Sequence, residues 1–188
     1  MTSLVDSAKT LADERLSEPL PRRWAHVQAV GAKAERIGPL FLGADDAEVL
    51  AAAAWLHDVG YSPDIAETGF HPLDGARWLR LQGFDERVVD LVAHHSCAHM
   101  EAVERGLADE LVAEFAREES AVADALWYAD MTTGPDGQDF EVTVRLDEVV
   151  VRYGTEHLVS RFILKATPEI VASVARTEER LKGAAQPM

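Results

Sequence analysis

The chain has little with which to staple or anchor itself. Among 188 residues there is one cysteine, Cys97, so no intrachain disulfide can form and a reducing compartment fits. Long apolar runs are also missing; the longest, Val49 to Leu56, is far too short to span a bilayer. The opening stretch "MTSLVDSAKTLADERL" has the period of an amphipathic helix and lacks a basic segment followed by an apolar one. No secretory leader is therefore expected, and the expected location is cytoplasmic. Positive charge is scarce, with 18 Lys and Arg against 33 Asp and Glu and a formal net charge of −15. That balance argues against a nucleic-acid polymer or an anionic membrane as the main partner, since both need basic patches. It leaves room for a small phosphorylated ligand, because a metal ion can make one site locally positive.

Strand patterns are weak, and helical period fills nearly every segment. Trp24, Val27, Val30, Ala34 and Ile37 step by three or four, and Gly38 with Pro39 predicts the end of that helix. "DDAEVLAAAAWLHD" opens on acidic residues, is rich in alanine, and is expected to end at Gly60 and Pro63. "HPLDGARWLRLQG" has Pro72 in its first turn and Gly83 just past its end, the usual asymmetry of a helix. "DERVVDLVAHHS", "LADELVAEFAREE", "ESAVADALWYAD", "VTVRLDEVVVRYG" and a tail from about Glu156 to Lys182 read the same way. The tryptophans Trp24, Trp55, Trp78 and Trp127 fall mostly on apolar faces and read as core. There is no internal repeat or interdomain linker. A chain of this length can bury a core in one domain, and the expected fold is an all-α bundle of about eight helices.

Against this pattern, "AAWLHDVGYSP" places His57 beside Asp58 at the end of an apolar run. A buried carboxylate must be paired, hydrogen-bonded or bound to a metal. Seven histidines are present: His26, His57, His71, His94, His95, His99 and His157. Asp130 follows Leu126 by four positions and Val122 by eight, so it continues an apolar stripe. His95 stands four after Leu91 and seven after Val88, again inward, whereas His94 follows Asp90 by four and is rotated about 100° to the flank. Imidazole and carboxylate together suit iron, manganese or zinc.

His26, then His57-Asp58, then Asp130 resembles the H…HD…D pattern of the HD-domain superfamily of metal-dependent phosphohydrolases. "LHDVG" is close to that superfamily's "LHDIG", and "ALWYADMTTGPDG" looks like the segment around its last aspartate. The resemblance covers roughly residues 22–135. It implies one HD-type domain over residues 1–188, with a helical C-terminal extension at 140–183. It further implies that His26, His57, Asp58 and Asp130 hold a divalent cation. His71 in "GFHPLDGA" and His95 in "VAHHS", with His94 as its rival, resemble the extra histidines of dinuclear branches. There Asp58 would bridge two ions, with His71 and His95 on the second. The cofactor implied is one or two divalent transition metal ions, drawn from Fe, Mn, Zn, Co or Ni, with Mg compatible. Where some two-metal branches carry a lysine after the HD pair, this chain has Tyr61, so phosphate contact by that lysine does not transfer.

The function implied is hydrolysis of a small phosphate ester, such as a nucleotide or related metabolite, by metal-activated water, with Asp58 and His57 at the reacting centre. Arg22, Arg23, Tyr61, Asp64, Ser96 and Thr133 are candidate substrate contacts by their nearness to the motif. His99 and His157 read as surface residues. Two other functions stay open: a mixed-valent diiron oxygenase of the same superfamily, which uses the same six ligands, and a non-catalytic nucleotide-binding module. The expected partner is a small phosphorylated metabolite, with no nucleic-acid polymer and no membrane; self-association as a homo-oligomer stays open.

Overall fold

A computed structural model describes residues 3–185. Among the described residues ten α-helices follow one another: α1 (Leu4–Leu16), α2 (Pro21–Phe41), α3 (Ala44–Leu56), α4 (His71–Leu81), α5 (Glu86–His94), α6 (Ala98–Arg105), α7 (Ala108–Glu114), α8 (Ala121–Met131), α9 (Val142–Tyr153) and α10 (Leu158–Ala184). Short 3-10 turns lie at Val59–Tyr61 and His95–Cys97. Among the described residues there is no sheet, only an isolated bridge between Thr133 and Asp139. The fold is all-α, as the periodicity predicts. None of these helices is long and apolar enough to cross a membrane.

The helix α3 is the axis of the bundle. Leu50 to Leu56 are buried without a break, because α1, α2, α5 and α8 all pack against this one helix. A helix that is apolar all round belongs in a core, and here its four consecutive alanines keep it thin enough for neighbours on every side. Its fully buried leucines, Leu50 and Leu56, contribute roughly 2 kcal/mol each by removal from water. The polar ends of the helices therefore gather at the end of α3, where the backbone runs out into His57 and Asp58.

Two boundaries differ from the expectation. Gly38 and Pro39 do not stop α2, which continues to Phe41. Pro39 leaves the Glu35 carbonyl without its helical N–H partner, yet the helix continues past it, and the Leu42 N–H reaches the Gly38 carbonyl at 2.9 Å. Ten helices replace the expected eight largely because the region after α5 is broken twice. Ser96 and Cys97 adopt left-handed φ angles of 46° and 60°, and Gly106 (φ 72°) separates α6 from α7. The C-terminal pair α9 and α10 lies back over the bundle, α10 touching α2, α6, α8 and α9.

Candidate metal centre

Six side chains from five places in the chain meet at the end of α3. His26 comes from the second turn of α2, His57 and Asp58 from the residues just past α3, and His71 from the first position of α4. His95 follows directly on α5, and Asp130 is the penultimate residue of α8. The ligand atoms of His26, His57 and Asp58 lie within 4.8 Å of one another, and so do those of Asp58, His71 and His95. Asp58 belongs to both groups. Its Oδ2 is 3.4 Å from His57 Nε2 and 3.8 Å from His26 Nε2, while its Oδ1 is 3.2 Å from His71 Nε2. Asp130 Oδ1 faces the first group, 3.1 Å from His26 Nε2 and 3.8 Å from His57 Nε2.

Backbone carbonyls orient three of the histidines. The Nδ1–H groups of His26, His57 and His95 donate to the carbonyls of Gly134 (3.0 Å), Ala54 (2.8 Å) and Val92 (2.6 Å). That arrangement presents each Nε2 to the centre, as a metal-ligating imidazole requires. His57 Nε2 is buried with no hydrogen-bond partner, and His71 Nε2 stands 3.1 Å from His95 Nε2. An orphaned imidazole nitrogen and two imidazoles facing each other beside carboxylates fit a cation better than they fit one another.

The charge states agree with this. Burial alone would push the His57 imidazole down, but Asp58 and Asp130 beside it outweigh that and lift it to about 9. Burial, with His71 and His57 alongside, pushes His95 down to about 3. Burial would raise Asp58, yet Arg23 and His57 hold it well below the usual carboxylate range; Asp130 is held low by His26 and His57 in the same way. Both carboxylates are thus ionised and His95 is neutral at neutral pH, ready to ligate, while His57 must release a proton on ligation.

The local fold explains how His71 reaches this place. A Cβ on Gly60 would lie 2.0 Å from the His71 carbonyl oxygen, so the 3-10 turn after Asp58 presses directly on the start of α4. The loop entering α4 is tied by Asp74, which is buried and accepts from the backbone N–H groups of Glu67, Thr68 and Gly69 and from the Thr68 hydroxyl at 2.7–3.2 Å. Sequence reasoning passed over Asp74, although "HPLDGA" sets it three residues after the histidine; a buried acid in a first turn was the available signal.

The outer residues separate cleanly. Arg23 donates to Asp58 Oδ2 at 2.7 Å and lies over the Tyr61 ring at 4.0 Å, and Tyr61 stacks on His71 at 3.9 Å. The Ser96 hydroxyl donates to Asp130 Oδ2. These three line a cavity of about 90 Å³ above the cluster, together with Asp58, His71, His95 and Asp130. His57 is fully buried behind them and does not line it. Asp64 does not line this cavity: it is exposed and 3.9 Å from Arg15. Thr133 does not line it either, and its hydroxyl donates back to the Ala129 carbonyl at the helix end. Arg22 is turned outward to Asp136 at 2.7 Å. His94, the rival of His95, bonds the Phe115 carbonyl at 3.0 Å away from the cluster. His95 takes the inward place for a reason the stripe does not contain: α5 ends at His94, and the left-handed Ser96 and Cys97 turn the chain so that His95 and Ser96 both face Asp58 and Asp130. Of the two histidines expected at the surface, His157 is exposed and caps α10, whereas His99 is half-buried against Glu169. Cys97, His99 and Glu169 form a third group of ligand type, but Arg117 already bonds both Glu169 and His99 and supplies the cation there.

No curated protein and no solved structure matches the chain. The HD domain profile matches residues 23–133, from Arg23 through Thr133, which takes in every member of the six-residue cluster and more than half of the chain. The chain therefore belongs to the HD-domain family.

Proposed function

We propose that this protein is a metal-dependent phosphohydrolase acting on a small phosphate ester. The observation that carries the proposal is the Asp58 carboxylate, whose two oxygens face two separate groups of histidine nitrogens. His26, His57, Asp58 and Asp130 would hold one cation and Asp58, His71 and His95 a second. When bound, such ions supply Lewis acidity toward the phosphoryl group and lower the pKa of a water molecule. The residues of the chain do the rest. Asp58 and Asp130 orient the attacking water, and the Ser96 hydroxyl fixes the rotamer of Asp130. The Arg23 guanidinium, held at the cavity wall, offers donors to the phosphoryl oxygens as charge develops on them. In the reaction the water oxygen forms the new bond to phosphorus, the ester P–O bond breaks, and the proton given up by water ends on the departing alcohol. The apolar side chains Val149, Phe162 and Ile163 close the opposite wall and keep bulk water out.

The test combines metal analysis with turnover. Elemental analysis is expected to find a divalent transition metal in the wild type and less than a tenth as much in Asp58→Ala. Loading with Mn²⁺, Fe²⁺, Co²⁺ or Mg²⁺ should release phosphate from members of a phosphomonoester panel. Metal content that is equally low in both proteins would overturn the centre. A loaded protein that releases no phosphate but shows a mixed-valent diiron Mössbauer signal would replace the hydrolase with the oxygenase. A loaded protein inert in both assays would be the binding module.

A further inference from the structure

We infer that the substrate carries a second anionic group, held by Arg145 and Arg152 of α9 where the metal cavity opens into a neighbouring crevice. The inference rests on the hydrolase reading for the reacting group and adds what must be attached to it. Size is the first argument. The cavity at the cluster is about 90 Å³, whereas ligand pockets typically run to roughly 300–1,000 Å³. Such a space takes one phosphoryl group and little else, so the body of the substrate has to lie elsewhere. A second cavity of about 350 Å³ abuts the first and shares Arg23, His26, Arg145 and Arg152 with it. Its remaining wall is Pro19, Leu20, Pro21, Pro135 and Arg22, the last paired with Asp136, a rigid and largely apolar surface with no carboxylate in its lining.

Charge is the second argument. Arg145 and Arg152 are seven positions apart, two turns of α9, and so share a face. A single carboxylate, Glu148, serves both: it pairs with Arg145 and stands 3.4 Å from Arg152 Nε. Arg145 is buried and fixed by its Nε–H to the Thr133 carbonyl at 3.0 Å, so its charge is set in place rather than waving in solvent. Two guanidiniums against one carboxylate leave a positive surplus in a molecule whose net charge is −15. Arg145 has its Nε and Nη1 donors engaged by Thr133 and Glu148 and keeps Nη2 for an anion, while the more exposed Arg152 can present paired N–H donors to a phosphate or carboxylate. Both arginines lie beyond residues 23–133, so this subsite is built by the part of the chain outside the family match.

The test uses the full, metal-loaded chain and matched probes: fructose 6-phosphate against fructose 1,6-bisphosphate, and glycerol 3-phosphate against 3-phosphoglycerate. Within each pair the member with the second anion is expected to have a kcat/KM higher by roughly tenfold, the scale of one charge-assisted hydrogen bond. Arg152→Gln should shrink that ratio toward one by raising KM for the second member, and Arg152→Lys should recover part of it. Equal kcat/KM within the pairs, or a ratio unchanged in Arg152→Gln, would overturn the subsite. If no ester is hydrolysed, the hydrolase reading fails and calorimetry on the same loaded protein takes over. Tighter binding of the bisphosphate that is lost in Arg152→Gln supports the subsite, and equal binding of both sugars overturns it.

Discussion

At the scale of single residues, the candidate metal centre depends on a side chain outside the six-residue cluster. Asp74 gathers three backbone N–H groups and a hydroxyl and thereby holds the loop that delivers His71. Asp74→Asn keeps the shape but replaces an acceptor-only group with one that must point an NH₂ at donors. It is expected to cost about 2–3 kcal/mol, because buried N–H groups lose a charged acceptor. The same change should weaken the metal position shared by His71 and His95 more than the one holding His26. Urea unfolding and metal titration of the variant check both parts; two equally tight metal equivalents would show that the loop holds His71 without Asp74. His71→Ala, by contrast, is expected to remove one equivalent with little loss of stability, since the imidazole is at the edge of the cavity and bonds chiefly to other site residues.

Elements meet at this centre only because certain contacts are backbone to backbone. Gly60 and Gly75 let the turn after Asp58 lie against α4; a side chain at Gly60 would collide with a carbonyl that cannot swing away. Gly60→Ala should destabilise the fold by about 3 kcal/mol or more, the upper range of overpacking costs. Gly183→Ala, where a Cβ meets nothing within 4 Å, should be neutral or stabilising by up to ~1 kcal/mol as a helix position. Denaturant midpoints of the two variants separate steric from conformational effects. On the far side, Asp124 of α8 pins α10: it accepts from Ser173 (2.9 Å), Arg176 (2.9 Å) and Arg180 (2.8 Å). Burial would raise Asp124, yet Arg176, Arg180 and Ser173 lower it below its ordinary value of 3.8. The native state therefore binds fewer protons than the unfolded chain. The stabilisation is present above that ordinary value and is lost as pH falls through the lowered one. Asp124→Asn is expected to cost about 2 kcal/mol at neutral pH, with the gap to wild type closing as acid is added. Thermal melts across that range check it; a gap that stays constant with pH would assign the cost to packing.

For the whole molecule, the bundle and the centre are separable. The core around α3 is apolar and complete without any ion, so the metal-free protein should stay helical. A cation held by the native state alone adds about 2.7 kcal/mol at a hundredfold excess over its dissociation constant. Chelation is thus expected to lower the melting temperature by roughly 5–10 °C for a chain of this size while the far-UV circular dichroism spectrum stays helical. Loss of helical signal on chelation would mean that the ions hold the fold itself. Since Asp58 and Asp130 raise the His57 imidazole above its ordinary value, loading should also release protons and weaken as pH falls.

Period and motif were legible in the chain: helices recur at three and four positions, and His26, His57, Asp58 and Asp130 stand in the order of the HD pattern. Both are local or nearly local signals, carried by side-chain spacing and by residue type. Choosing between His94 and His95 required more than their helix, because two left-handed residues after α5 set the direction of the chain there. That Asp64 and Thr133 lie off the site while Arg145 and Arg152 reach it was likewise beyond spacing. A turn angle or a helix folded back from outside the motif depends on packing between distant segments, and only the tertiary structure brings those segments together.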